Sequence, residues 1–342
     1  MTERRHVSAL ALVVAAGIAA PSLAYADEVV NLYSSRHYDT DERLYSDFEE
    51  ATGITVRRIE GNADELLTRM QAEGANSPAD VLLTVDTSRL ERAKEMGLLQ
   101  SIESDVLEAR VPAYLQDADN QWFGLSQRAR IIFYDRNDVE NPPQTYADLA
   151  DTQYEGQVCH RSSTNVYSQT ILAAIIENDG EEAARAWAQG VVNNFARDPQ
   201  GGDTDQLRGL VSGECDISIS NTYYFARAIR KPVDGVSDSL DMIGWVFPDQ
   251  GGHGAHMNLS GGGVAVNAPN RENAIRFLEY LASDQAQEYF SAGNDEYPAV
   301  PGVALSPSVA QLGFFKPDDV DLSMVAKNVG TAQTIFNEVG WE

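Results

Sequence analysis

The chain has 342 residues, and 52 acidic side chains against 25 basic ones give it a net charge of −27. Such an excess of negative charge argues against nucleic acid and anionic membranes as partners. Near its start the chain has Arg4 and Arg5, followed by an apolar run over Ala9–Ala20 and a short stretch ending in small residues at Ala24–Ala26. This order predicts that residues 1–26 are a signal peptide cleaved near Ala26, with either secretory or twin-arginine export. Because no later apolar run reaches the roughly 20 residues that span a bilayer, we expect a soluble, exported chain.

Short runs rich in Val and Ile alternate with stretches of helical period, which predicts an α/β architecture with mostly parallel sheets. The first series has predicted strands at Val29–Tyr33, Ile54–Val56 and Val81–Val85, and predicted helices at Thr40–Thr52, Asp64–Glu73 and Ser88–Met96. The long extended segment Trp122–Tyr134 then predicts a crossing into a second lobe.

A second series of strands and helices follows that segment. Its predicted strands are Gln157–His160 and Ile217–Ser220, and its predicted helices are Val166–Glu177, Glu182–Val192 and Tyr223–Arg230. The segment Gly261–Val266 predicts a return crossing, and one helix over Arg271–Phe290 is expected to rejoin the first lobe. We therefore expect an N-terminal lobe of residues 27–125 plus 255–302, a C-terminal lobe of residues 126–254 plus 303–342, and a ligand cleft between them.

Cys159 and Cys215 are the two cysteines of the chain. In the oxidising compartment that a signal peptide implies, two cysteines predict one disulfide, here within one lobe. The alternative is a thiolate metal site, but two cysteines alone do not fill a coordination shell.

Tyrosines follow three of the predicted strands, where the chain passes from strand to helix. Tyr38 follows the first strand, Tyr167 follows the strand at 157–160, and the pair Tyr223 and Tyr224 follows the strand at 217–220. Ligands of open α/β sheets bind beyond the carboxyl ends of strands. On the first turn of a helix the two adjacent tyrosines diverge by about 100°, so both phenols can reach one point.

A free phenol has a pKa near 10, so several phenolates around one ligand need a strongly charged cation. Fe(III) meets that need, and a bound metal displaces protons from its ligands. Four phenolates would leave one net negative charge, and neutral His37 could fill a fifth position. Arginines close in the inferred layout would offset that charge, namely Arg36, Arg128, Arg130 and Arg161. A tyrosine cluster can equally stack on a sugar or an organic cation, so both alternatives stay open on chemistry alone.

Two other motifs give weaker signals. His253 and His256 have a spacing that can chelate a metal, but the glycines around them favour a flexible loop with incidental histidines. The run Gly261–Gly263 lacks the lysine and the spacing of a phosphate-binding loop, so it predicts a hinge or a close-packed crossing. Neither GxSxG nor HExxH occurs, and nucleophilic catalysis is therefore poorly supported.

Four segments closely resemble the periplasmic ferric iron-binding proteins of bacterial ABC importers, and the similarity extends in order over essentially the whole mature chain. These segments are Asn31–Tyr38, Gly124–Arg130, Arg161–Ser168 and Asn221–Tyr224. The consecutive tyrosines after a strand, together with an upstream His-Tyr pair, are the most specific part of the resemblance.

The resemblance implies a type II periplasmic-binding-protein fold, with two doubly wound α/β lobes joined by two crossing strands and Fe(III) in the cleft. The implied iron ligands are Tyr38, Tyr167, Tyr223 and Tyr224, with His37 as a further ligand. Arg128 and Arg130 match the basic cleft segment of the family. The implied role is a monomer without enzymatic activity that delivers ferric iron to an inner-membrane ABC permease. The alternatives are import of an oxyanion, polyamine or sugar, or an exported metal enzyme.

Overall fold

The computed structural model describes residues 28–36 and 38–342, so the predicted signal peptide and His37 lie outside the described residues. The elements up to the first crossing are β1 (Val29–Ser34), α1 (Glu42–Thr52), β2 (Thr55–Glu60), α2 (Ala63–Glu73), β3 (Val81–Thr84), α3 (Thr87–Glu95), α4 (Asp105–Arg110) and β4 (Phe123–Asp135). The next are β5 (Val158–Cys159), α5 (Val166–Asp179), α6 (Glu181–Asn193), α7 (Asp203–Ser212), β6 (Ile217–Asn221), α8 (Thr222–Arg230) and β7 (Ile243–Val246).

The last elements are β8 (Met257–Val264), α9 (Arg271–Leu281), α10 (Asp284–Asn294), β9 (Tyr297–Pro298), α11 (Pro307–Leu312) and α12 (Leu322–Val339). Short 3-10 helices lie at Asp39–Asp41, Gly74–Asn76, Ala113–Leu115, Ala147–Ala150, Thr152–Tyr154 and Ser237–Met242. Within the described part of the chain, no helix is both long and apolar enough to cross a membrane.

The strands form one continuous pairing order, β2-β1-β3-β8-β4-β6-β5, with β7 and β9 also paired to β4. Strands β1, β2 and β3 pair in parallel, as do β5 and β6, because a helix returns the chain between neighbouring strands. Strand β8 lies antiparallel between β3 and β4.

Strand β4 joins two groups of strands, as the long extended segment predicted. Its first half pairs with β8, at Ala129↔Met257, and its second half pairs with β6 and β7, at Ile132↔Ile219 and Ile132↔Val246. The two halves therefore belong to two packing units that share one strand.

Separate hydrophobic cores lie on either side of this shared strand. The first core packs around the helices α1 and α9, where the rings of Phe48 and Phe277 meet edge to face. In the second group, Ile132 faces a core with α5, α6 and α12, whereas Phe133 faces a core with α8. This alternation follows from the two-residue period of a strand with helices on both faces.

One predicted element was wrong. The sequence suggested a single helix over Arg271–Phe290, but the chain breaks between α9 and α10 at Ala282 and Ser283. The Ser283 hydroxyl oxygen accepts a hydrogen bond from the Ala286 N–H and thereby caps α10. A serine cap favours a new helix start even where the apolar period continues.

Helix α12, which the sequence analysis did not anticipate, packs on α5 and also contacts α3. Beyond its end, Trp341 is buried against the rings of His160, Phe195 and Phe336. The C-terminal segment thus completes the second core and reaches the first group of helices.

The glycine run in β8 is a close-packed strand, in agreement with the predicted crossing. A Cβ atom at Gly263 would lie 2.2 Å from the carbonyl oxygen of Gln121, and one at Gly261 would lie 2.6 Å from that of Phe123. Only glycine allows the neighbouring backbone to approach so closely.

We expect Gly263→Ala to lower the free energy of unfolding by about 1–3 kcal/mol, because the added methyl group overlaps a backbone carbonyl. The matched control is Gly330→Ala in α12, where a Cβ meets no atom within 4 Å. That change should raise stability by about 0.5–1 kcal/mol, because alanine is the better helix former. Urea denaturation of both variants measures the difference, and shifts of the same sign would contradict the packing described here.

Candidate metal centre

The junction between β5 and α5 places Tyr167 on the first turn of a helix. The side-chain oxygen of Asn165 accepts a hydrogen bond of 2.9 Å from the Tyr167 N–H and caps α5. An asparagine cap fixes where the helix begins, and therefore the direction in which the next side chains point.

The junction between β6 and α8 places Tyr223 and Tyr224 beside Tyr167. The rings of Tyr223 and Tyr224 stack with centroids 4.3 Å apart and planes inclined by 30°. The hydroxyl oxygens of Tyr167 and Tyr223 are 3.2 Å apart. Three of the four predicted tyrosines thus converge from two strand-to-helix junctions, with the first-turn geometry expected for the adjacent pair.

Tyr38 comes from the other side of the cleft, after β1. It is close enough to Tyr167 and Tyr224 for their charges to act on its pKa, and the guanidinium carbon of Arg36 lies 5.0 Å from its ring centroid. The structure therefore brings all four predicted tyrosines into one electrostatic cluster. His37, the fifth predicted ligand, lies outside the described residues.

Burial favours the protonated form of Tyr38, Tyr223 and Tyr224. It raises the pKa of Tyr224 to about 12, and the negative charge of Asp203 adds to this effect. Burial likewise raises the pKa of Tyr223 and of Tyr38 well above the usual value, with further contributions from neighbouring tyrosines. A ligand that uses these oxygens as anions must therefore displace their protons, which favours a highly charged metal ion over a neutral molecule.

Three of the predicted arginines surround Tyr167. The guanidinium carbons of Arg128, Arg130 and Arg161 lie 5.6, 5.7 and 5.3 Å from its ring centroid. Arg128 and Arg130 are almost completely buried. These cations offset negative charge on the phenols and remain ionised in such a setting.

Asp203 balances two of these cations. Its carboxylate lies 3.0 Å from Arg130 and 3.2 Å from Arg161, and it accepts a hydrogen bond of 3.0 Å from the Asn221 N–H. Burial alone would raise the pKa of Asp203, but the two arginines outweigh burial and lower it. Asp203 is therefore a buried anion in this site.

A second charge cluster supports Tyr38. The buried guanidinium of Arg36 lies 2.9 Å from Asp41 and 3.2 Å from Glu296, and Glu296 also accepts a hydrogen bond of 2.9 Å from Ser126. Because Ser126 lies on β4 and Arg36 follows β1, this cluster ties the Tyr38 segment to the shared strand.

The sequence analysis missed Asp203, Glu296 and Arg227. The guanidinium carbon of Arg227 lies 5.6 Å from the Tyr223 ring centroid and 5.7 Å from that of Tyr224. Its spacing of four and three residues from the tyrosines on one helix is a signal that could have identified it. Asp203 and Glu296 carried no comparable local signal.

A cavity of about 480 Å³ opens beside the tyrosines. One side is formed by residues after β2 and β3, including Asn62 and Asp86, and the other by Arg161, Tyr167 and Tyr224. Two of the four tyrosines, Tyr167 and Tyr224, therefore line a cleft whose walls come from both groups of elements.

Two other sequence predictions concern the cysteines and the histidine-containing loop. Cys159 and Cys215 form the predicted disulfide, so a thiolate metal site is excluded. His253 is exposed in a loop, as expected, whereas the side chain of His256, in the same loop just before β8, is buried.

Residues 43–317 match the family model of bacterial extracellular solute-binding proteins, and the chain belongs to this family. Among its relatives is "Iron uptake protein A1" of Synechocystis sp., which is 48% identical over 314 residues, 92% of this chain and 87% of that protein. The similarity to ferric iron-binding proteins that the tyrosine segments indicated is confirmed.

Solved structures agree with this assignment. The Trichodesmium protein IdiA, or FutA, "in complex with iron and citrate ligands", is 47% identical with a TM-score of 0.88, covering 92% of this chain and all of that one. The "ferric binding protein" of Campylobacter jejuni is 39% identical with a TM-score of 0.86, at 92% and 100% coverage. The chain therefore has the predicted type II periplasmic-binding-protein fold.

The opposing charges around Tyr224 predict the direction in which each substitution shifts its pKa. Asp203→Asn should lower the pKa of Tyr224 below about 12, because a negative charge is removed, and Arg161→Gln should raise it, because a positive charge is removed. The measurement is an ultraviolet titration of tyrosinate absorbance. For each variant, the curve of the same variant with Tyr224→Phe added is subtracted, so that the difference reports the Tyr224 phenol alone.

Asp198→Asn makes the same change of charge at an exposed position and should leave the Tyr224 pKa unaltered. Shifts in one direction for both Asp203→Asn and Arg161→Gln would show that local charge does not control this phenol.

Proposed function

We propose that this protein captures ferric iron through the phenolate oxygens of Tyr38, Tyr167, Tyr223 and Tyr224 and delivers it to an inner-membrane ABC permease. The observation that carries the proposal is the convergence of phenol oxygens, with Tyr167 and Tyr223 only 3.2 Å apart. The names of its relatives, which refer to iron uptake and to ferric binding, support the same cargo.

The charges in the cleft suit a trivalent ion. Fe(III) with four phenolates carries one net negative charge, which the three arginines around Tyr167 offset, because the single carboxylate of Asp203 pairs with only two of them. A softer or less charged ion would not displace the protons of Tyr38, Tyr223 and Tyr224, whose pKa values burial has raised. His37, next to Tyr38 in the chain, is proposed as a fifth ligand.

The proposed lobes, residues 27–125 plus 255–302 and residues 126–254 plus 303–342, supply the ligands unequally. The first lobe would provide Tyr38 and the second would provide Tyr167, Tyr223 and Tyr224. Iron would then join the lobes, with β4 and β8 as the connection about which they open. The contact of α12 with α3 adds a further link between the two lobes.

The proposed setting is the periplasm, after removal of residues 1–26 near Ala26, with the protein acting as a monomer. We assign no reaction to it. Four or five protein atoms around iron leave little room for the open coordination position that metal catalysis needs.

Tyr224→Phe should weaken the visible phenolate-to-iron charge-transfer band. It should also lower the affinity for Fe(III) by more than about 100-fold, because loss of a direct ligand should cost more than the roughly 10–100-fold loss that follows removal of a group bonded to a ligand. Chelator competition, followed by visible absorption, measures both. Tyr280→Phe on α9, which removes a phenol packed against Phe48, is the matched control and should change neither.

A protein that stays colourless after iron is removed and Fe(III) is added back would reject the tyrosinate site. Binding of a sugar, polyamine or oxyanion by the iron-free protein, together with indifference to Fe(III), would instead support one of the alternative solutes.

Iron affinity should fall as the pH falls. The raised pKa values of Tyr223 and Tyr224, about 12 for Tyr224, lie above neutrality, so these iron-free phenols keep their protons throughout the neutral range and release them on binding. Each coordinating phenol then contributes one proton, and the logarithm of affinity should change by about four units per pH unit after correction for iron hydrolysis.

In the Tyr224→Phe variant that slope should decrease by about one proton, since one phenol fewer is deprotonated. A slope unchanged by the substitution would remove Tyr224 from the ligand set even if iron still binds.

A further inference from the structure

A second cavity, of about 420 Å³, lies in the second group of elements, between α5, α6 and the loop that leads into β8. It does not share lining residues with the tyrosine cleft. Its walls are largely apolar and consist of Ile171, Ala174, Ile175, Ala183 and Trp187. A pocket of this size with apolar walls and a few polar groups is typical of a binding site for a small organic molecule.

The rim of the cavity carries negative charge. Asp179, Asp249 and Asp318 all line it, and Asp318 is held by a hydrogen bond of 2.8 Å from the side-chain N–H of Asn178. Burial raises the pKa of Asp249 and of Asp318, and nearby carboxylates contribute in the same direction. His253 is the basic group of the rim, 3.8 Å from Asp179. A positively charged ligand would relieve the repulsion among these carboxylates.

The inner end of the cavity contains His256, whose side chain is only 2% exposed. Neither ring nitrogen has a hydrogen-bond partner among the residues that the structure describes. Burial lowers the pKa of His256 to about 3, so the ring is neutral and offers one N–H donor and one acceptor. Buried polar atoms are normally satisfied, so two unsatisfied nitrogens on a residue that lines a cavity point to an occupant with a polar end.

The neighbouring phenol cannot meet this need. The hydroxyl of Tyr146 donates a hydrogen bond of 2.6 Å to the Arg130 carbonyl oxygen and accepts one of 2.9 Å from the His256 N–H of the backbone. Tyr146 thereby closes the cavity at the two crossing strands and leaves the His256 ring as the polar group at the inner end.

We propose that this cavity is a second ligand site, for a small organic amine with an apolar body and a hydroxyl group at its far end. The ammonium group lies between the rim carboxylates, the body packs against Trp187 and its aliphatic neighbours, and the hydroxyl group bonds to His256. The ligand does not require iron in the tyrosine cleft, although His256 is close enough to Arg128 and Arg130 for their charges to act on its pKa.

A metal ion at the rim is the competing explanation. Ligand atoms of His253, Asp318 and Asp319 lie within 4.8 Å of one another. However, His253 and Asp319 are exposed, and an ion held there would leave the apolar walls and the His256 ring without a ligand. Asp319 does not line the cavity, so it separates the two explanations.

Calorimetry with the iron-free mature protein and tyramine as the probe tests the proposal. Tyramine should bind once per chain. Tyrosol, which lacks the amine, and phenethylamine, which lacks the hydroxyl, should each bind at least about tenfold more weakly, because each loses one polar contact.

Asp318→Asn should weaken tyramine binding by at least about tenfold, whereas Asp319→Asn, the same change at an exposed neighbour, should leave it unchanged. His256→Phe should reduce tyramine affinity to that of phenethylamine without affecting phenethylamine itself. Tyramine binding should persist in the Tyr224→Phe variant, so failure of the iron assignment would not remove it.

Absence of tyramine binding, or equal loss in the Asp318→Asn and Asp319→Asn variants, would overturn the proposal. So would binding of Zn²⁺ that requires His253 and Asp319 while tyramine does not bind, because the rim would then be a metal site.

Discussion

Neutralisation of buried charge is the constraint on which the tyrosine cleft depends. Arg130 and Arg161 bring positive charge close to the phenols, and an unpaired buried ion costs several kcal/mol. Asp203 pairs with both arginines and also accepts the Asn221 N–H, at the residue before the helix that carries Tyr223. One carboxylate thus offsets part of the positive charge and also holds the backbone just before the tyrosine pair.

Most of the fold could be predicted because the apolar period changes at nearly every boundary. The predicted helix at 166–177 is observed as Val166–Asp179, and the predicted crossing at 122–134 is observed as Phe123–Asp135. The failures have physical causes. The period runs on through Ala282 and Ser283, where a capping hydroxyl divides the helix. Helix α12 was not anticipated, because its burial depends on contacts with α5 and α3 that are distant in sequence.

In the site, the tyrosines could be predicted from local sequence patterns of the same kind. Tyr167 and Tyr223 could be located because helix-capping residues follow short strands, and such junctions lie at one edge of a sheet. The positions of the two anions, Asp203 and Glu296, could not be predicted. Asp203 is 73 residues from Arg130, and Glu296 is 260 residues from Arg36, and pairing over such distances leaves no local pattern. The structure adds these counter-charges, while the ligand roles of the tyrosines stay a proposal.

The disulfide has a consequence for when the cleft can form. Cys159 ends β5 and Cys215 lies just before β6, and these two strands lead into the helices that carry Tyr167, Tyr223 and Tyr224. Between them the ladder has only two residue pairs, Val158↔Ile217 and Cys159↔Ser218. A covalent link closing a 56-residue separation restricts the unfolded chain far more than so short a ladder can. Formation of the cleft therefore depends on the redox state of the compartment. In a reducing cytoplasm the protein would lack the bond that links the two strands leading to three of the four cleft tyrosines.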